Sequence, residues 1–406
     1  MATLDLLPDE KIYDEGDEVL PGLRPHLDAI LSSPEGEDIV FKIAAMLKEY
    51  LLPELCGYDK GSSPTSAEMA LRFDNLYEEV YLPLYNGFRG KHKGWTGYLC
   101  LFYSEVFEAA FRAPYDDPAQ TKVVELLQAL RDLPGRTAKV FLASEFSWVD
   151  SEIWSNEILF GWELSHAMPY TGELTIPLCR SFPYFLSGLN LLDFNAACAR
   201  WVSAAALSAR CTSAGFNNLY IHCFPRIGYV LTLGLEPGFP SHQPTKLDCY
   251  VMAAAQYILL AGATIDENCV RNQLPFHRMH RWKRWADGNG PNMWRLWGDR
   301  FAEIAQALDD GVVEEEQLGF RLFEQNRAAL REMVGQARER MVELEPALFE
   351  EGVAQIEKGE EAETTEKVEA TGDAENGEKT EEKGVNETGN PEKEKTEKEK
   401  KVEGKL

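Results

Sequence analysis

KLDCYVMAAAQYILLAG, residues 246–262, is the most apolar continuous stretch of the chain, and its reading decides the fold class. Tyr250, Val251, Ala254, Ile258 and Ala261 recur at helical spacing while Met252, Ala255 and Leu259 fill the flanks, so the segment is apolar nearly all round. That pattern predicts a fully buried central helix. Alanines at 253–255 let neighbouring helices come close, and Gly262 stands where a left-handed C-cap would end the helix. A membrane span is the rival reading, and it fails on length. Spanning takes roughly 20 apolar residues, whereas Gln256 interrupts a run closed by Asp248 on one side and by Asp266 and Glu267 on the other.

Charge sets the next bounds. The chain carries a net −26, and its last segment, residues 357–406, holds 17 acidic and 10 basic residues with no Phe, Trp or Tyr. A segment of that composition buries too little apolar surface to offset its ordering entropy, which predicts a disordered tail. The remaining residues keep a net −19 and every aromatic side chain. So acidic a body repels phosphate backbones and anionic surfaces, which argues against nucleic acid and membrane as partners. The amino terminus, MATLDLLPDEKIYDEGDE, has no charged-then-apolar leader, and Ala2 stands where myristoylation needs glycine. The expectation is a cytoplasmic or nuclear protein. Eight cysteines fall singly inside apolar segments, without a C-x-x-C pair, and read as small core residues.

Helical patterns occupy most of what remains. Ile39, Ile43, Met46, Leu47 and Tyr50 form one stripe before Pro53. Thr65-Ser66-Ala67-Glu68 has capping-box spacing and opens a helix with Leu71, Leu76, Val80 and Leu84 on or near one face. A third helix is predicted over 95–112. In AFRAPYDDPAQTKVVELLQALRDLPG, residues 110–135, Asp117 is the N-cap and Pro118 the first helical residue, ahead of Val123, Leu126, Leu127, Leu130 and Leu133. Residues 136–180 show no clear period. There YTGELTIPL, residues 170–178, reads as either a short hairpin or an extended loop, and no alternating run is long enough for a real sheet.

Regularity returns in LNLLDFNAACARWVSAAALSARC, residues 189–211, and in NLYIHCFPRIGYVLTLGLEP, residues 218–237, which reads as a helix kinked at Pro225. Beyond the opening stretch lie a polar connection, residues 271–291, a helix carrying Trp294, Trp297, Phe301 and Ile304, and a long helix over about 314–344 with Leu322, Phe323, Leu330, Met333, Ala337 and Met341 on one side. Together these predict an all-α fold, an irregular multi-helix bundle with a long C-terminal helix and a disordered acidic tail. The domain scheme is a flexible acidic arm over 1–22, a single helical domain over 23–350 and a Glu/Lys-rich tail over 357–406.

Four segments in order, AFRAPYDDPAQTKVVELLQALRDLPG, FNAACARW, KLDCYVMAAAQYILLAG and NMWRLWGDRFAEIA with the charged helix after it, resemble a fungal family of uncharacterised proteins known as a domain of unknown function. The resemblance covers about residues 95–345. It implies an all-helical fold and supplies no activity, cofactor or catalytic residue.

Candidate chemistry is sparse. The connection over 271–284 gathers Arg271, Arg278, Arg281, Lys283 and Arg284 with His277, His280, Trp282 and Trp285, in an otherwise acidic chain. Guanidinium forks with interleaved indoles suit an anion or a partner surface, with Arg278, His280, Arg281 and Arg284 as the candidate contacts. Pairing with the protein's own carboxylates is the simpler reading. His277 and His280 share a helical face, yet no Cys, Asp or Glu lies within four residues to complete a metal site. His222 and Cys223 are adjacent and point about 100° apart on a helix, so they form no nucleophile pair. The loop NGFRGKHKGW, residues 86–95, lacks the residues of a phosphate cradle. The sequence therefore offers no catalytic, cofactor-binding or metal-ligating residue, and no cofactor is expected. The expectation is a non-catalytic helical binding or interaction protein of the cell interior with protein partners. The alternative is an enzyme or small-molecule binder whose site lies between helices, using His222, Arg226 and the basic 271–284 connection.

Overall fold

A computed structural model of the chain describes residues 22–32, 39–59, 62–85, 94–142, 147–154, 164, 191–216, 224–235, 247–271 and 290–350. All of them lie within one compact unit, Met1–Gly352. Helices α1 (Leu23–Ser32), α2 (Ile39–Leu51), α3 (Ser66–Leu76) and α4 (Leu82–Tyr85) precede α5 (Trp95–Arg112) and α6 (Pro118–Arg131). An antiparallel hairpin follows, β1 (Thr137–Leu142) with β2 (Ser147–Glu152). Then come α7 (Leu191–Ser213), α8 (Phe224–Leu235), α9 (Asp248–Ile265), α10 (Gly290–Asp309), α11 (Glu315–Leu318) and α12 (Arg327–Leu344). The fold is all-α, and the hairpin is the one sheet among the described residues. The expected arm over 1–22, apart from Gly22, and the expected tail over 357–406 lie outside the described residues.

Local sequence explains several boundaries. At the start of α3 the Thr65 hydroxyl accepts from the Glu68 backbone N–H at 3.2 Å while the Glu68 carboxylate accepts from Thr65 N–H at 2.8 Å, so two orphan donors are satisfied reciprocally. The Asp117 carboxylate accepts from Ala119 N–H at 2.7 Å and Pro118 opens α6, as the spacing predicts. Helix α5 spans the predicted residues, with Gly94 at φ 63° before it.

The apolar side chains divide into two cores that share α7. One joins α1 to α6, Val140, Ile153 and Trp154 with Ala204, Leu207 and Cys211 of α7. The other joins α8, α9, α10 and α12 with Cys198, Trp201, Val202, Ala205 and Ala209 of α7. Both α7 sets follow helical spacing on different faces, so the alanine-rich helix serves as a two-sided spine. Its small side chains allow helices on both sides to pack close.

The opening stretch forms α9, buried over nearly all its length, as its all-round apolarity requires. By length and composition it could cross a membrane, but 78% of its apolar window is buried inside the protein, so packing accounts for the composition. Gly262 does not cap it. The helix runs on to Ile265, and a Cβ at Gly262 would stand 3.2 Å from Leu344 Cδ1 of α12. The glycine marks a close approach. Gly234 does the same between α8 and α9, where a Cβ would fall 2.7 Å from the Tyr250 carbonyl oxygen and 3.0 Å from Ala254 Cβ. Because backbone cannot retreat cheaply, Gly234→Ala is expected to destabilise the protein by about 2 kcal/mol, read from urea midpoints.

Three expectations need correction. Leu71 and Leu84 are each 53% exposed, whereas Met69, Ala70, Phe73, Leu76, Tyr77 and Tyr81 are buried. A π turn over Tyr77–Tyr81 advances the helical phase and brings aromatic residues inward that a uniform 3.6 period places elsewhere. Residues 314–344 are not one helix, because Gly319 ends α11 in a left-handed C-cap and Arg321 pairs with Leu247 in a parallel bridge. The Asp248 carboxylate fixes this break, accepting from Phe323 N–H at 2.9 Å and Asn326 Nδ2 at 3.1 Å. Of the helix expected over 218–237, residues 224–235 form α8, with Pro225 as its second described residue, and the stretch before Phe224 lies outside the described residues. Finally, residues 137–152 form the hairpin that no strand pattern announced. It is anchored by Trp154, whose Nε1 donates to Asp74 Oδ1 at 2.8 Å, and by Arg136, 3.2 Å from Asp74 Oδ2.

Candidate functional site

The basic connection with Arg278, His280, Arg281 and Arg284 lies outside the described residues, as do His222 and His277. Arg226 falls on α8, with its side chain outside the described set. Among the described residues no three His, Cys, Asp or Glu side chains are placed to hold a metal ion. Cys56, Cys198 and Cys249 are free thiols. Cys198 and Cys249 touch across α7 and α9, and burial first, then the neighbouring thiol, pushes Cys249 well above the ordinary range. A thiol so enclosed is a poor nucleophile.

The buried polar groups that sequence reasoning missed fall into two kinds. Most fasten helices to one another. Gln120 is fully buried, and its Nε2 shares hydrogens among the carbonyls of Ala110 (3.2 Å), Ala113 (3.3 Å) and Ser203 (3.0 Å). Its Oε1 accepts from Arg210 Nη1 at 2.7 Å, and Arg210 Nη2 donates to the Tyr115 carbonyl at 2.8 Å. One amide thus satisfies the carbonyl end of α5 and ties it to α6 and α7. Burial lowers the Arg210 pKa. Asp248 similarly joins α9 to the chain ahead of α12, and burial raises its carboxyl against the pull of its donors Phe323 and Asn326.

The second kind is a cluster where α1, α5 and α7 meet. Glu108 accepts from Arg112 Nε at 2.7 Å through one oxygen and from Arg200 Nη2 through the other. The i,i+4 spacing of Glu108 and Arg112 was the one signal of it in the sequence. Around this carboxylate the Arg200 side chain is 37% exposed and the Arg112 side chain 20%, so the cluster is partly open to solvent. His26 of α1 completes it. Burial first, then the Arg112 charge, lowers the His26 pKa to about 4; Glu108 opposes this and Arg200 adds to it. His26 Nε2 and Arg200 Nε are enclosed without hydrogen-bond partners.

The histidine makes a pH prediction. Its folded pKa lies below the unfolded value of 6.5, so below pH 6.5 the unfolded chain takes up a proton that the folded chain refuses. Stability conferred by neutral His26 is therefore full above pH 6.5 and declines toward pH 4. Allowing for solvent screening of a half-buried ring, wild type should lose about 1 kcal/mol more than His26→Gln between about pH 7 and 5. Urea unfolding at the two pH values checks this.

No curated protein and no solved structure matches the chain. The family described as a protein of unknown function (DUF3632) matches residues 103–301. That span takes in most of α5, all of α6 to α9 and the first part of α10, and lies inside the 95–345 stretch whose segments carry the resemblance. Over residues 103–301 the chain is similar to this domain family of unknown function.

Proposed function

We propose that the protein is a non-catalytic helical binding protein of the cell interior, cytoplasmic or nuclear and fungal in source, with recognition centred on the junction of α1, α5 and α7. One observation carries the reading. Gln120 spends its hydrogen bonds on joining helices, while beside Glu108 the His26 Nε2 and Arg200 Nε atoms are left without partners and the Arg200 side chain opens to solvent. A group that fastens helices serves the fold; a partly open group with spare donors serves a visitor. Residues 23–350 are proposed as one domain, since α7 contributes to both cores. Arg278, His280, Arg281 and Arg284 remain a second candidate anion or partner surface, supported by their sequence alone.

A thermal-shift screen of the full chain against a metabolite panel tests the reading. Compounds that raise the melting midpoint should be recovered chemically unchanged after long incubation with the protein. Conversion of any of them, followed by mass spectrometry, contradicts the non-catalytic assignment.

A further inference from the structure

Helix α12 ends at Leu344, and Glu345, at φ −137° and ψ 67°, breaks the helical path before a new turn over residues 346–350. The Leu348 N–H donates to the Glu345 carbonyl at 3.2 Å as this turn begins. Leu348 and Phe349 pack against the second core, yet both stay partly exposed. Phe349 nevertheless has a fitted seat. The edge of its ring lies against Gly298 of α10, where an added Cβ would stand 2.7 Å from both Cε1 and Cζ. The Arg338 guanidinium of α12 lies over the same ring, 3.7 Å from its centroid. Asp299, the next residue of α10, holds that guanidinium from its other side, 3.6 Å from Nη2. Arg338 Nη1 is buried without a hydrogen-bond acceptor, and the electron-rich aromatic face stands beside it. Gly298 is thus the floor of a slot for an aromatic ring, and Arg338 is its lid.

We propose that the slot of Gly298, Asp299 and Arg338 is a protein-recognition surface for a short helical turn with an aromatic anchor, and that residues 345–350 are its displaceable resident occupant. A single half-buried turn gains little by docking, and that gain is set against the cost of ordering its own residues. Such a segment can open while the helices beneath it stay closed. The partner segment carries the same chemistry, a leucine and then a phenylalanine on one turn. Because the resident turn joins α12 directly, its effective concentration is roughly millimolar or higher, so it outcompetes a free segment of equal intrinsic affinity. Removing its ring opens the slot. The slot lies on α10 and α12, and the proposal stands independently of the junction of α1, α5 and α7.

The test uses the full chain and a fluorescently labelled synthetic peptide, LEPALFEEG, the sequence of residues 344–352, followed by anisotropy. Phe349→Ala should bind the peptide about tenfold or more tightly than wild type does, while keeping a cooperative thermal transition. The peptide with alanine in place of its phenylalanine should lose that gain. Adding Gly298→Ala to Phe349→Ala puts a methyl group where the ring edge sits, and should return the affinity to the wild-type level or below. Equal affinity of wild type and Phe349→Ala, or no binding to either, overturns the proposal. So does binding that survives loss of the peptide's ring or the addition of Gly298→Ala. Loss of the cooperative transition in Phe349→Ala also overturns it, because the turn is then a part of the core and not a displaceable occupant.

Discussion

A fragment limited to residues 103–301 should fail to fold, although it contains the whole family match. It ends inside α10 and lacks α12, whose Leu330, Met333, Val334, Ala337 and Met341 are buried in the core with α9 and α10. Fully burying such a side chain is worth about 1.5–3 kcal/mol, so removing this set forfeits on the order of 10 kcal/mol. That equals the entire net stability of a typical domain. Cutting before Tyr103 also removes α1 to α4 and splits α5, opening the first core at Phe73, Tyr98 and Phe102, each fully buried. The fragment should show no cooperative thermal transition and should bind a hydrophobic dye, whereas residues 22–350 should unfold cooperatively. A fragment with dispersed NMR signals would show that α12 and the first four helices are additions to an independent unit.

Gln120→Leu should be the most damaging single conservative-volume change among the helix-joining groups. Leucine fills the space but supplies no donor, so the carbonyls of Ala110, Ala113 and Ser203 lose the side-chain amide, and Arg210 loses one of its two acceptors. A buried polar group stripped of its partner costs roughly 1–3 kcal/mol, and several are stripped together. The expected loss is about 3 kcal/mol, or roughly 6–10 °C in melting midpoint. A midpoint within about 2 °C of wild type would mean that α5, α6 and α7 are held by apolar packing alone.

Sequence reading succeeded where a local rule governs a local structure. The capping box at Thr65 and the Asp117–Pro118 start need only neighbours in the chain. The all-round apolarity of residues 246–262 leaves no option but burial. Reading failed where a partner distant in the chain decides. Gln120 looks like an ordinary polar position on an amphipathic helix, and nothing nearby reveals that Ser203 and Arg210 surround it. The break after Gly319 depends on Asp248, and the hairpin depends on Asp74 receiving Trp154. The candidate cluster draws on α1, α5 and α7, so only Glu108 and Arg112 were visible as a pair. The alanine-rich stretch of α7 was legible as a helix, but not as the element shared by two cores, because alanine marks close approach without saying to what.

The central claim is that α7 makes one cooperative body of the two cores and so gives the cluster a rigid frame. Hydrogen exchange of residues 22–350 in increasing urea tests it most directly. If the claim holds, the amides of α5 and α6 and those of α9 and α10 lose protection together at one urea concentration, with α7 among the last to open. Loss of protection in one core while the other stays protected would contradict it.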